Sequence, residues 1–259
     1  MSHSKAVVVL LLATLLLTGA GCSFYDKLQS RGELNKGVGS FKEQKYSDAI
    51  KYFKNAIALD PTFLEPYSYM ATSYAALFVP GSTEPANIKY AEDAIRGFET
   101  VLQKNPGNAS AMVYIAQLYY QLKQYDKSKE WCRKIISKDP KNYEALYRIG
   151  VIDYDISIDA TGLTGEKVGD ITPSQKTEIN AVIDEGIKAL EDSIKMKASY
   201  FEAMHYLNLL YREKAKFMTS DSEKNQILLK ADSVALKAME LEKAAKEAKD
   251  TRVLNLKKD

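Results

Sequence analysis

Residues 108–140 read NASAMVYIAQLYYQLKQYDKSKEWCRKIISKDP, and the fold is decided here. Asn108, behind Pro106 and Gly107, stands where a side-chain oxygen can accept from the free backbone N–H groups of a helix start. From Ala109 to Leu122, the residues Met112, Ile115, Ala116 and Tyr119 recur on one face, the period of an amphipathic helix. Lys123 and Gln124 make a turn. From Tyr125 to Lys138, Ser128, Cys132 and Ile135 follow at i, i+4 and i+7, and Asp139-Pro140 stops this second helix because proline lacks the N–H and crowds the preceding turn. Pro106 and Pro140 stand 34 residues apart, so the stretch lies within one helix-turn-helix unit of that period, bounded at both ends.

The same ruler fits the rest of the chain with two slips. A first unit ends at Pro61 and carries Gly37, Tyr46, Ala49, Phe53 and Ala56; its small residues let two helices approach closely while the large ones fill the gap. Lys36 holds an inner-face position that is apolar later (Met70, Ile115, Ile149, Leu207), as a solvent-facing end unit allows. The second unit opens Glu65-Pro66-Tyr67, with Pro66 suited to a first helical turn, and continues through Met70, Ala71 and Tyr74. Pro61 and Pro106 are 45 residues apart, 11 more than the ruler, and Val79 to Pro85 reads as the inserted loop before Ala94 and Phe98 resume the register. The fourth unit begins Tyr143-Glu144-Ala145-Leu146 with Ile149 and Gly150 and resumes at Gly186, Leu190 and Ser193. Pro140 and Ala198 are 58 apart, an excess of 24 held mostly in Ser157 to Gln175. Phe201-Glu202-Ala203-Met204 opens a fifth unit with Leu207 and Tyr211. After Thr219 to Ser222, the stretch from Glu223 to about Lys249 is rich in Ala, Leu, Lys and Glu, which favours one long closing helix.

This pattern resembles the tetratricopeptide repeat over about residues 31–215. The resemblance implies an all-α, right-handed helical-repeat solenoid of about five helix-turn-helix units, filling residues 31–249, with loops inserted at about 77–87 and 156–178 and a frayed tail over 250–259. It also implies a binding scaffold rather than an enzyme, with no cofactor. In that family the first helix of each repeat lines a concave groove. Counting by the ruler puts Tyr69, Val113, Tyr114, Gln117, Tyr120, Tyr147, Arg148, Val151, Tyr154, His205 and Tyr206 on or near it. A tyrosine ring offers apolar area and a hydroxyl at small entropic cost, which suits an extended peptide or a partner helix. The competing reading is that the repeat pattern itself favours aromatics and that these rings pack the fold. The subtype that captures a peptide's terminal carboxylate uses Lys and Asn at groove positions that here hold Leu34, Val38, Tyr69, Ser110 and Tyr114, so that mode does not carry over.

Residues 1–21 read as a targeting segment: a polar start with Lys5, an apolar run from Ala6 to Leu17, then Thr18-Gly19-Ala20-Gly21 before Cys22. The run is 12 residues, too short for a hydrocarbon core that needs about 20. The small residues ending at a cysteine resemble a bacterial lipoprotein signal, although Gly19 stands where that motif usually has Leu. The resemblance implies that Cys22 becomes the lipidated first residue, with 22–30 a short tether reaching at most about 28 Å, and that Ser23 sends the protein to the periplasmic face of the outer membrane. Ordinary secretion, with cleavage after Ala20 or Gly21, is the alternative. Thirty-six basic and 34 acidic residues give a net charge of +2, and removing the first 21 residues leaves +1, so nothing in the charge suggests nucleic acid.

The search for catalytic chemistry is largely negative. His3 lies in the signal and His205 stands alone, so no histidine pair is set up for a metal. Cys132, on an apolar inner face, reads as a small buried hydrophobe. Thr161 to Lys167 lacks the spacing of a phosphate loop and follows a helix, not a strand. Asp153, Asp155, Ser157 and Asp159 alternate like the start of a calcium loop, but Ile158 and Thr164 occupy the places where such a loop needs Gly and Glu. The expected function is therefore a non-catalytic interaction scaffold or adaptor tethered to the cell envelope, binding an unidentified protein or peptide in its groove. A structural subunit of an envelope assembly machine, like the pilus-assembly or outer-membrane-assembly lipoproteins, is the alternative. An enzyme or ligand-binding protein using the 157–175 loop is a third.

Overall fold

The computed structural model describes residues 24–256, and the expected signal, Cys22 and residues 257–259 lie outside them. All regular structure among the described residues is helical. The chain divides into two compact units, residues 1–124 and 125–259, and the division falls inside the third repeat.

The first unit holds α1 (24–42), α2 (Tyr46–Leu59), α3 (Glu65–Leu77), α4 (Pro85–Lys104) and α5 (Ala109–Gln121). Close approach closes each pair. A Cβ on Gly37 would lie 2.4 Å from the ring of the fully buried Phe53, so α1 and α2 can meet only because position 37 has no side chain. In the next pair a Cβ on Gly97 would lie 2.8 Å from that of Ala71. Asn108 caps α5 as its position predicts, accepting from the Ala111 N–H at 2.9 Å. Residues 22–30, expected to form a tether, are instead helical from residue 24. The reason is visible at Ser30, which is fully buried and donates to the Ala56 carbonyl at 2.8 Å, fastening the start of α1 to α2.

The second unit holds α6 (Tyr125–Lys138), α7 (Tyr143–Thr161), α8 (Pro173–Met196), α9 (Phe201–Ala215) and α10 (Asp221–Leu256). Its core joins Ile183, Ile187 and Leu190 to Leu207, Leu210 and Phe217, with Ala231 contributed by α10. A Cβ on Gly150 would lie 2.3 Å from Leu190, and one on Gly186 would meet Leu210 and Asp153 at 2.7 and 2.8 Å.

The two insertions are mostly helix rather than loop. Only residues 78–84 of the expected 77–87 loop are non-helical, because the added residues lengthen α4 to 20 residues. Asn87, nearly buried, holds the short loop by accepting from the Val79 N–H and donating to the Val79 and Ser82 carbonyls. Likewise α7 runs to Thr161 and α8 starts at Pro173, so 156–178 shrinks to residues 162–172, with one 3-10 turn at Val168–Asp170. Gly162, at φ +79°, turns the chain out of α7, and Thr172 with Gln175 forms a reciprocal cap that starts α8. The tail expected to fray from 250 also continues α10 to Leu256.

These contacts give opposite signs for two glycine substitutions. Replacing a helical Gly by Ala gains up to about 1 kcal/mol of propensity, but overpacking a core costs about 1 to 3 kcal/mol. Gly150→Ala meets fully buried Leu190 and is predicted to lower the denaturation midpoint, whereas Gly39→Ala, which meets nothing within 4 Å, is predicted to raise it. Denaturant melts of the two variants check this.

Candidate interaction surface

In the first unit, three of the expected groove residues stand out to solvent: Tyr69 is 36% exposed, Val113 46% and Tyr114 40%. Both tyrosines are nevertheless held. Tyr114 on α5 stacks on Phe98 of α4 with ring centroids 4.7 Å apart and planes 3° from parallel. Tyr69 on α3 stacks on Phe53 of α2 at 5.5 Å and makes a T-shaped contact with Phe41 of α1 at 6.0 Å. Each ring is therefore partly exposed while packed on a buried ring, Phe53 or Phe98. Gln117 and Tyr120 on the same helix as Tyr114 are half-buried.

In the second unit the expected residues are drawn into the fold. Tyr206 of α9 makes T-shaped contacts with both Tyr147 and Tyr154 of α7, with centroids 5.7 and 5.6 Å away, and Tyr147 also meets Tyr200 at 5.0 Å. Lys197 lies over the Tyr200 and Tyr143 rings. Burial pushes the Tyr147 hydroxyl up to about 12, and raises Tyr154 and Tyr206 from their usual value. Arg148 is half-buried, Val151 is buried, and His205 faces Glu242 of α10 with its Nε2 3.1 Å from a carboxylate oxygen.

Two buried polar networks were not anticipated from the sequence. Lys129 of α6 donates to Asp153 of α7 at 2.5 Å and to Glu185 of α8 at 2.7 Å, and Arg133 reaches Glu185 at 2.6 Å. Asp153 is fully buried and its Oδ2 has no hydrogen-bond partner. Burial raises its carboxyl to about 7 even though Lys129 pulls the other way, while at Glu185 the bonds from Lys129 and Arg133 outweigh burial and hold it low. Asp153 and Ser157 are buried inside α7, and Asp155 and Asp159 lie on the same helix, so the apparent calcium-loop spacing is helical. In the second network buried Glu213 binds Thr161 at 2.8 Å and Lys216 at 2.7 Å, and Lys216 donates to the Gly162 carbonyl, pinning the 162–172 loop to the end of α9. Cys132 is buried and its thiol is pushed up to about 11 by burial.

Known proteins agree with this layout of paired helices. The tetratricopeptide-repeat family model matches residues 91–149. Over those residues the chain carries the tetratricopeptide repeat. Among curated proteins, it is 31% identical over 123 residues to Hsp70-Hsp90 organizing protein 3 of Arabidopsis thaliana and 28% identical over 123 residues to Hsp70-Hsp90 organizing protein 1 of Glycine max, each match taking in 48% of this chain. The chain spans about a fifth of the length of these relatives, 20% in both cases. Two solved tetratricopeptide-like folds are similar. MamA from Desulfovibrio magneticus aligns over 83% of this chain and 96% of its own, with TM-score 0.56 and 16% identity. YrrB, described as a TPR protein with an unusual peptide-binding site, aligns over 82% of this chain and 90% of its own, with TM-score 0.52 and 13% identity.

The signal for the Lys129 network lay on the repeat faces themselves. Lys129 flanks the inner positions Ser128 and Cys132 of its tetratricopeptide unit, and Asp153 lies one turn beyond the closing Gly150 of the next; opposite charges at two inner faces mark a buried pair. The pH dependence follows from Asp153. Its carboxyl titrates higher in the fold than in the unfolded chain, so the fold binds the extra proton, and the stability this proton supplies is lost as pH rises through about 7. Denaturant melts at pH 5.5 and pH 8 are predicted to give the wild type lower stability at pH 8. Asp153→Asn is predicted to shrink that difference.

Proposed function

We propose that this tetratricopeptide-repeat chain is a non-catalytic protein-interaction scaffold held at the bacterial cell envelope, and that the α3 and α5 face of its first unit takes the partner. The observation that carries this reading is the Tyr114 ring, 40% exposed yet stacked parallel on buried Phe98. An aromatic already fixed in place loses little freedom on binding, and such anchors often dominate interface energy. Val113 beside it and Tyr69 on α3 add apolar area. Tetratricopeptide repeats commonly serve as interaction modules, and the names of the organizing proteins and the description of YrrB point the same way. The half-buried rings of the second unit, by contrast, are occupied with one another, which ranks them below Tyr69 and Tyr114 as contacts.

The tether in this proposal is Cys22, from the short apolar run that ends in small residues before it. Cys22→Ala is predicted to move the protein from the membrane to the soluble fraction on cell fractionation. Full membrane retention of a processed Cys22→Ala protein would exclude the lipid anchor. The contact surface has its own test. With a partner that co-purifies with the chain, Tyr69→Ala combined with Tyr114→Ala is predicted to weaken binding by at least about 2 kcal/mol by titration calorimetry, with the circular dichroism melt preserved.

A second reading, a permanent subunit of an envelope assembly, is favoured by a different feature. Leu229, Leu236 and Met239 on α10 are exposed, giving the second unit an apolar stripe of its own. A stoichiometric complex that survives detergent extraction supports it; a partner lost on dilution supports the adaptor.

A further inference from the structure

The start of α1 carries the most exposed aromatic residue among the described large apolar side chains outside loops. Phe24 is 74% exposed, and Tyr25 and Leu28 are each 59% exposed. At 100° per residue Phe24 and Leu28 are about 40° apart, and Tyr25 flanks them, so the three form one patch. Ser30, which is fastened to Ala56, points away from this patch, so the patch faces outward from the first unit. Lys27 and Arg31 are exposed and lie one turn apart along the border of the same face. Apolar side chains, an aromatic with a polar tip and a pair of cations on one helical face are what the headgroup region of a bilayer accepts.

From the geometry we infer that the first two turns of α1 lie against a lipid surface and set how the first unit stands on the membrane. The inference rests on Cys22 being acylated. The helix begins two residues after Cys22, and two residues span at most about 7 Å, so an acyl chain buried at Cys22 brings Phe24 to the interface without any separate docking step. The sequence pattern fits the position as well: the aromatic pair comes first, nearest the anchor, and the basic residues Lys27 and Arg31 follow where anionic headgroups would meet them. A flexible tether would leave the repeats free to orient, but Ser30 makes this segment continuous with the packed body of the first unit, so a patch seated in the interface orients that unit.

The test uses the full mature chain in vesicles of phosphatidylethanolamine and phosphatidylglycerol. The protein has one tryptophan, so Trp131→Phe with Tyr25→Trp places a single reporter in the patch. Blue-shifted emission and quenching by nitroxide-labelled lipids are expected. With Cys22 shown by intact mass to be acylated, emission at the water-exposed wavelength with no lipid quenching would overturn the inference while leaving the anchor intact. If the mass shows no acylation, the anchor reading fails by itself, and flotation of the unacylated chain then decides for the patch. There, Phe24→Ser with Leu28→Ser is expected to lower partition by at least about tenfold, as loss of two buried apolar side chains implies; an unchanged partition would overturn the patch. Shielding of the reporter that appears without vesicles and rises with protein concentration would assign the patch to a second copy of the chain instead.

Discussion

The structure depends on the distance of closest approach between the two helices of a repeat. Gly37 against Phe53 and Gly150 against Leu190 are the same device used twice, once in each unit: the first helix gives up its side chain where the second fills the space. The large residue is fully buried in both cases, so it has no alternative rotamer in solvent, and the glycine is fixed by what it faces. Everything outward of that contact follows. The rings that back the exposed tyrosines, Phe53 and Phe98, are themselves second-helix core residues, so the candidate surface is held by the same packing that closes the pairs.

This coupling explains why the tyrosines have two fates. Tyr69 and Tyr114 each stack on a buried phenylalanine and remain partly exposed. Tyr147, Tyr154 and Tyr206 meet ring to ring between α7 and α9, packed against the core of the second unit, and they serve each other as partners. His205, assigned by position to a groove, has Glu242 of the long last helix beside it.

Much of this was legible in the residues. Pro66 and Asn108 mark helix starts and the structure begins helices there, with Asn108 accepting the bond that its side chain suits. The closing glycines were legible because their spacing repeats. The insertions were legible as excess length but not as helix, since the proline and glycine around Val79 and the glycines from 162 to 169 signal a break without saying how many turns precede or follow it. The start of α1 was missed because Ser30 looks like a polar tether residue, and only its bond to Ala56, 26 residues away, shows that it is packed. Lys129 and Glu185 are 56 residues apart across the larger insertion, a pairing that no local period reports.

The central claim is that rigid aromatic residues on α3 and α5 are where this chain meets its partner. Site-specific photo-crosslinking in living cells tests it most directly, with the photoreactive residue placed in turn at Tyr69, Tyr114, Leu163 in the 162–172 loop, and Leu236 on α10. The account predicts a discrete crosslinked species from Tyr69 and Tyr114 and little from the other two positions. A species formed only from Leu163 or Leu236 would contradict it and move the contact to the second unit.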